Sequence, residues 1–303
     1  MKYSAISFPS LGIEINPGRG IDIGSATIYF YGMIIALGLL LAVTYALRRS
    51  AQFGLKQDDI VDGVLWIVPV AIVFARAYYC IFSWKDFASN PISVLHIWKG
   101  GIAIYGGVIG AAVGVIIHCK IKKMSLPATL DLVALGFLIG QSIGRWGNFF
   151  NREAFGAATE SFLRMGLLNT TTGEFEYYHP TFLYESLWNG AGLVLLHFLS
   201  KKRKYDGQIA LSYVAWYGAG RTVIEGLRMD SLYWGPFRVS QVLAAISCAV
   251  AISFLVWQAF RTHDEKALFV NHAAKSEETE EAAEKPEETE EQEIQENEVE
   301  ENE

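Results

Sequence analysis

The 303 residues are 51% hydrophobic and 19% charged, and the apolar residues lie in long blocks instead of at amphipathic spacing, which excludes a soluble globular domain. The net charge of −7 hides an uneven distribution: residues 276–303 hold fifteen Glu and one Lys, leaving +7 on residues 1–275. Three cysteines in or at the ends of apolar blocks exclude a disulfide framework, and six histidines without metal-ligand spacing predict no metal centre.

Residues 1–27, with Pro9 and Pro17, make a poor signal peptide and are expected to form a short folded segment outside the membrane. Seven apolar blocks follow, at 28–47, 63–82, 100–119, 126–144, 181–200, 208–224 and 239–260. Each is about 20 residues, enough to cross a hydrocarbon core of roughly 30 Å. The predicted fold class is therefore an all-α membrane protein with seven transmembrane helices. Arg48, Arg49 and Lys56 follow the first block; Lys120, Lys122 and Lys123 the third; Lys201, Lys202, Arg203 and Lys204 the fifth; and Arg261 the seventh. By the positive-inside rule these loops are cytoplasmic, which puts the N-terminus outside and the C-terminus inside. Loop 145–180, between the fourth and fifth blocks, then becomes a long outward loop with a turn at Thr170, Thr171, Thr172 and Gly173. The expected division is an outward segment 1–27, a seven-helix catalytic domain 28–262 and a cytoplasmic tail 263–303. From about residue 276 the tail is too acidic and too poor in apolar residues to fold.

Gly106, Gly110 and Gly114, and then Gly140 and Gly144, repeat the four-residue spacing of small residues that lets membrane helices approach closely. Trp84, Trp98, Trp146, Tyr233 and Trp234 fall where an interfacial aromatic belt belongs. Polar residues inside the blocks sort to one leaflet. Arg76 is 17 residues past Asp59, about 26 Å along a helix and hence in the outer half. Tyr31, Tyr105, Arg145, Glu185, Arg221, Glu225 and Arg228 also lie toward the outer ends of their blocks. Arg145, Asn148 and Asn151 are three apart, so a continuing helix aligns them on one face. Arg221, Glu225 and Arg228 share one stripe at i, i+4 and i+7. A charge this deep costs on the order of 3 kcal/mol on insertion scales. Two readings account for it: a structural ion-pair ladder, or guanidinium forks and amides kept to hold a phosphate or carboxylate.

The string Gly144-Arg145-x-Gly147-Asn148-Phe149-x-Asn151-x-Glu153-x-x-Gly156 resembles the hallmark of the prolipoprotein diacylglyceryl transferases. Further matching pieces are Phe30-Tyr31-Gly32, Ala75-Arg76, the run from Gly100 to Gly107, His179-Pro180-Thr181-x-x-Tyr184-Glu185 and Arg221-x-x-x-Glu225-x-x-Arg228. The resemblance implies a bacterial plasma-membrane enzyme with its site toward the outer leaflet. Such an enzyme moves an sn-1,2-diacylglyceryl group from phosphatidylglycerol to the lipobox cysteine of a preprolipoprotein, giving a thioether and glycerol phosphate. Phosphatidylglycerol, the prolipoprotein signal peptide and membrane lipids are the implied partners, with no cofactor and no nucleic acid. On this basis Arg145, Arg221 and Tyr105 are the expected catalytic residues. Tyr31, Arg76, Asn148, Asn151, Glu153, Gly156, Glu225 and Arg228 are expected to bind substrate, Glu153 by orienting an arginine. Many relatives carry a histidine at the Tyr105 position, proposed as the thiol base. Tyrosine, with an ordinary pKa near 10, is a poor base, so Tyr105 is expected to donate a hydrogen bond instead. A lipid or solute transporter and a non-catalytic scaffold are the competing classes.

Overall fold

Long apolar stretches leave the backbone no water to bond with, so each block closes its own hydrogen bonds as a helix. A computed structural model describes residues 2–24, 26–97, 100–229 and 233–273; the acidic stretch 276–303 and Trp98 lie outside the described residues. In chain order the helices are α1 (Phe30–Arg49), α2 (Gln57–Phe82), the single turn α3 (Trp84–Phe87), α4 (Ile104–Ile121), α5 (Leu126–Asn151), α6 (Thr181–Ser200), α7 (Gln208–Glu225) and α8 (Val239–Ala259). Five are long and apolar enough to cross a membrane by length and composition: α1 continued to Phe53, α2, α4, α5 and α8. The blocks at 181–200 and 208–224 are also helical. Glu185 and Asn189 in α6, and Gln208, Arg221 and Glu225 in α7, dilute their apolarity.

The architecture is mostly helical, as expected, with short strands added to it. Strands β1 (Tyr3–Phe8) and β2 (Ile13–Ile15) of the N-terminal segment join β5 (Met165–Asn169) and β6 (Phe175–Tyr178) of the 145–180 loop in an antiparallel sheet, order β2-β1-β5-β6. Two hairpins accompany it: β3 (Gly20–Ile23) with β4 (Ala26–Tyr29), and β7 (Tyr233–Trp234) with β8 (Phe237–Arg238). Stretches this short hide in a composition scan, and a register shift between Tyr3 and Ile6 breaks the simple alternation of β1. Tyr3, Ile6, Met165 and Leu167 from the sheet form one core with Phe149 of α5 and Phe182 of α6. That core fixes the end of α5 against the start of α6, where the hallmark string lies. The expected turn joins β5 to β6, with Gly173 in the left-handed region at φ 72°.

Glu176 on β6 shows how tightly the sheet is tied. Its Oε2 accepts from the hydroxyls of Tyr178 (2.6 Å) and Tyr3 (2.7 Å), and its Oε1 from Asn169 Nδ2 (2.7 Å). These donors, Tyr178 foremost, hold the carboxyl down at about 2 against an ordinary 4.5. A depressed carboxyl stabilises the fold above its unfolded pKa and loses that contribution as it protonates. The β5–β6 hairpin is therefore expected to loosen as pH falls from 4.5 toward 2, seen as faster amide exchange. In Glu176→Gln that acid limb should vanish; an unchanged pH profile would refute the account.

The chain divides into two compact units. One holds the N-terminal residues to Arg49, Leu130–Arg203 and Gly207–Thr262; the other holds Ser50–Thr129, Lys204–Asp206 and the described residues from His263 onward. In the second unit, Gly110 and Gly114 of α4 admit Phe74 and Ile67 of α2, and a Cβ on Gly106 would run into the Phe74 carbonyl. In the first unit, Gly38 of α1 faces Gly140 of α5, and Ile35 lies 3.3 Å from where Gly144 would carry a Cβ. Asp131 of α5, fully buried, accepts from the N–H groups of Gly207 (2.9 Å) and Ala210 (2.8 Å) and so caps the start of α7. Trp188 of α6 and Trp216 of α7 stack at 4.4 Å, each indole N–H donating to the other's carbonyl at 2.9 Å. A Cβ on Gly220 would run into the Trp188 indole and one on Gly192 into that of Trp216. Gly220→Val is expected to cost about 2–3 kcal/mol by overpacking. The readout is a lower unfolding temperature in detergent, and an unshifted one would refute the seam.

Candidate active site

All the parts described next, up to Arg76, belong to the first unit. Chain direction at the site is set by the exit from α5. Arg152 and Ala154 adopt left-handed conformations, φ 55° and 56°, uncommon for residues with side chains and often found where geometry serves function. The turned chain is then tied down by three hydrogen bonds. Gly156 N donates to His179 O (2.9 Å) and Ala157 N to Leu227 O (2.7 Å), while the Thr181 hydroxyl donates to the Ala154 carbonyl. Gly156 has to be glycine: a Cβ there would lie 2.7 Å from His179 Cβ and 2.9 Å from Leu227 O. Gly156 thus holds the loop between α6 and the end of α7, and its backbone bridges to Arg228.

Reciprocal hydroxyl bonds between Ser142 and Ser186, each donating to the other's carbonyl at 2.8 Å, set α5 against α6. Trp146 Nε1 adds a bond to Ser186 Oγ at 3.2 Å. This docking carries Glu185 to the arginines. Arg145 Nη2 lies 2.6 Å from Glu185 Oε2, Arg221 Nη1 3.1 Å from Oε1, and Arg228 Nη1 3.8 Å from Oε1. Arg221 Nη2 also meets Glu225 Oε2 at 2.6 Å, one turn along α7. Glu185 is only 4% exposed. The i, i+4, i+7 stripe therefore does not stand alone as a ladder on one helix; it converges with Arg145 on a carboxylate from another helix. Among the described residues, three guanidinium groups converge on two buried carboxylates, a setting in which each charge has to be met by a partner.

The amides form an adjoining layer. Asn148 Nδ2 (3.0 Å) and Asn151 Nδ2 (3.2 Å) both donate to Glu153 Oε1, and Asn148 Oδ1 accepts from Arg145 Nη1 at 3.4 Å. Glu153 is linked to Arg145 only through Asn148. Tyr31, in the first turn of α1, lays its ring on Gly147, where a Cβ would sit 2.7 Å from Tyr31 Cδ2.

Arg76 and Tyr105 fall in the other unit. Arg76 is buried, and its guanidinium donates to Val94 O and Ser93 O at 2.8 Å and to Gly100 O and Gly101 O at 2.7 Å. Those four bonds tie Ser93, Val94, Gly100 and Gly101 to α2 and use four of the guanidinium's five N–H donors. Tyr105 starts α4 half exposed, its ring 6.4 Å from that of Tyr78 and its hydroxyl without a partner among the described residues. Glu185 is the residue the sequence reading left without a role. Its signal was there: a carboxylate in the second turn of an apolar block, two residues beyond the His179-Pro180-Thr181 element plus Phe182 and Leu183, is too costly to be idle.

Helices of membrane-spanning length and a buried arginine–glutamate cluster define a multi-pass helical membrane protein with three guanidinium groups gathered at one carboxylate. Residues 20–257 match the family described as Prolipoprotein diacylglyceryl transferase. The chain is similar to proteins named phosphatidylglycerol–prolipoprotein diacylglyceryl transferase. The Listeria innocua relative is 43% identical over 253 residues, 82% of this chain and 91% of the relative. The Bacillus velezensis relative is 41% identical over 262 residues (84% and 96%), and that of Bacillus cereus 44% over 243 residues (78% and 90%). The chain belongs to the prolipoprotein diacylglyceryl transferase family.

Proposed function

We propose that this chain transfers the diacylglyceryl group of phosphatidylglycerol to the lipobox cysteine of a prolipoprotein, the first step of lipoprotein maturation. The observation that carries the reading is the convergence of Arg145, Arg221 and Arg228 on the one buried carboxylate of Glu185. In the reaction the cysteine sulfur bonds the glycerol carbon while that carbon's bond to the phosphate oxygen breaks. The oxygen keeps the electron pair, and the thiol proton passes to an acceptor. Charge therefore gathers on the leaving glycerol phosphate, and fixed guanidinium groups favour that state over the ground state. Arg145 and Arg221 take this catalytic role, with Arg228 and Glu225 completing the cluster. Asn148, Asn151 and Glu153 fix the Arg145 side, Gly156 holds the loop, and Tyr31 lines the headgroup. Tyr105 donates its hydroxyl to the headgroup, and Arg76 acts through the loop it holds.

The same pairing supports counting α6 and α7 as spans, because Glu185 and Arg221 satisfy each other instead of facing lipid. Seven spans with the basic loops inside support a site at the outer leaflet of the cell membrane. Purified protein with labelled phosphatidylglycerol and a lipobox peptide should give a thioether-linked product, and the Cys→Ser peptide none. Absence of product would leave the transporter and scaffold classes standing. In that assay Tyr105→Phe should lose about tenfold, the worth of one hydrogen bond to a charged group. Full activity would remove Tyr105 from the site.

A further inference from the structure

We infer that Arg19 and Arg152 form a second anion-binding site, separate from the glutamate-centred cluster, that takes a phosphate group. Two segments clasp each other through these side chains. Arg19 Nη2 donates to Asn151 O (3.2 Å), and Arg152 reaches back to Pro17 O (2.5 Å), Asn16 Oδ1 (3.4 Å) and Phe150 O (3.1 Å). Every acceptor in the clasp is neutral. Among the described residues no carboxylate pairs with either guanidinium, so both charges remain uncompensated where the chain leaves α5.

Burial makes this arrangement costly as it stands. Arg152 is only 7% exposed, and the Nε atoms of both arginines are shut from solvent without an acceptor. Burial first, and Arg19 second, push the Arg152 guanidinium down from its usual value. Arginine does not give up its proton under ordinary conditions, so it carries this penalty as a charge. A structural clasp would be served as well by one arginine and an amide. Two planar forks with spare donors suit a tetrahedral oxyanion, which would accept from both and neutralise both. The positive φ of Arg152 aims the side chain back at residues 16–17, away from the α5 helical path. The phosphate can come from a phospholipid headgroup or from a soluble phosphate ester.

Equilibrium dialysis of the full-length protein in a nonionic detergent against radiolabelled inorganic phosphate tests this directly, without any transfer step. Arg19 is partly exposed and makes one bond, so Arg19→Gln should keep the fold. The number of phosphates bound at saturation should fall by one in that variant. Arg152→Lys, which keeps the charge but loses the fork, should weaken the same site by about tenfold or more. Repeating the measurement in nanodiscs identifies the source. Suppression by phosphatidylglycerol, but not by an uncharged glycolipid lacking phosphate, assigns the site to a lipid headgroup. Equal binding in both lipids assigns it to a soluble phosphate ester. Phosphate binding identical in stoichiometry and affinity between wild type and Arg19→Gln would overturn the inference. Because the readout is binding alone, its failure leaves the transferase reading untouched, and the converse holds.

Discussion

Arg145→Lys is expected to lower diacylglyceryl transfer by at least about a hundredfold, the usual cost of one transition-state donor, while the protein still inserts and folds. Of the three arginines around Glu185, Arg145 is the most exposed, with 22% of its side chain accessible against 16% for Arg221 and 12% for Arg228. It is therefore the one with room to meet substrate without leaving its partner. Its fork is already divided: Nη2 on Glu185 at 2.6 Å and Nη1 toward Asn148 at 3.4 Å. A planar group anchored at one edge presents its remaining donors in a fixed direction, whereas a lysine ammonium can satisfy Glu185 or a phosphate but holds no orientation between them. The loss should fall on turnover more than on lipid affinity, because charge on the leaving phosphate grows only as the carbon–oxygen bond breaks. Turnover with labelled phosphatidylglycerol decides the matter; a lysine variant within a few-fold of wild type would remove the bidentate role.

The helices and the site were unequally legible. Blocks of about 20 apolar residues fix helices because bilayer and backbone leave no alternative, and the small-residue seams followed from spacing alone. The sheet was not legible in that way. β2 is three residues long and fully exposed, and β1 pairs with β5 across more than 150 residues of chain, a partnership no local pattern announces. In the site, Arg145, Asn148 and Asn151 were visible as an i, i+3, i+6 set. The partner that gathers them with Arg221 was not, because Glu185 lies 40 residues from Arg145 and 36 from Arg221. Sequence gives the cost of a buried charge, but its compensation is a contact between helices. Arg76 shows a different limit. An arginine in an apolar block reads as a ligand-binding group, and its four carbonyl acceptors lie on residues that no spacing rule connects to it.

Glu185→Gln is expected to destabilise the protein by about 3–5 kcal/mol, the cost of breaking a buried ion pair by removing one partner. The carboxylate is 4% exposed and within 4 Å of three guanidinium groups, at 2.6, 3.1 and 3.8 Å. Glutamine keeps the shape and loses the charge, so the cluster becomes one unit more positive than in wild type. The amide can still accept from one arginine, but its own NH2 then faces another donor and is left without an acceptor. The expected readouts are a lower unfolding temperature in detergent and transfer reduced at least as far as in Arg145→Lys. A purely structural ion-pair role would predict the same loss of stability, and a ligand separates the two. If the cluster is built to hold an anion, the more positive variant should gain more from phosphatidylglycerol than wild type does. Its unfolding temperature should therefore recover further when that lipid replaces an uncharged one. A variant that unfolds at the wild-type temperature would show that Glu185 does not hold the arginines together. One that is destabilised but indifferent to the lipid's charge would show that the cluster is scaffold, with the phosphate bound elsewhere.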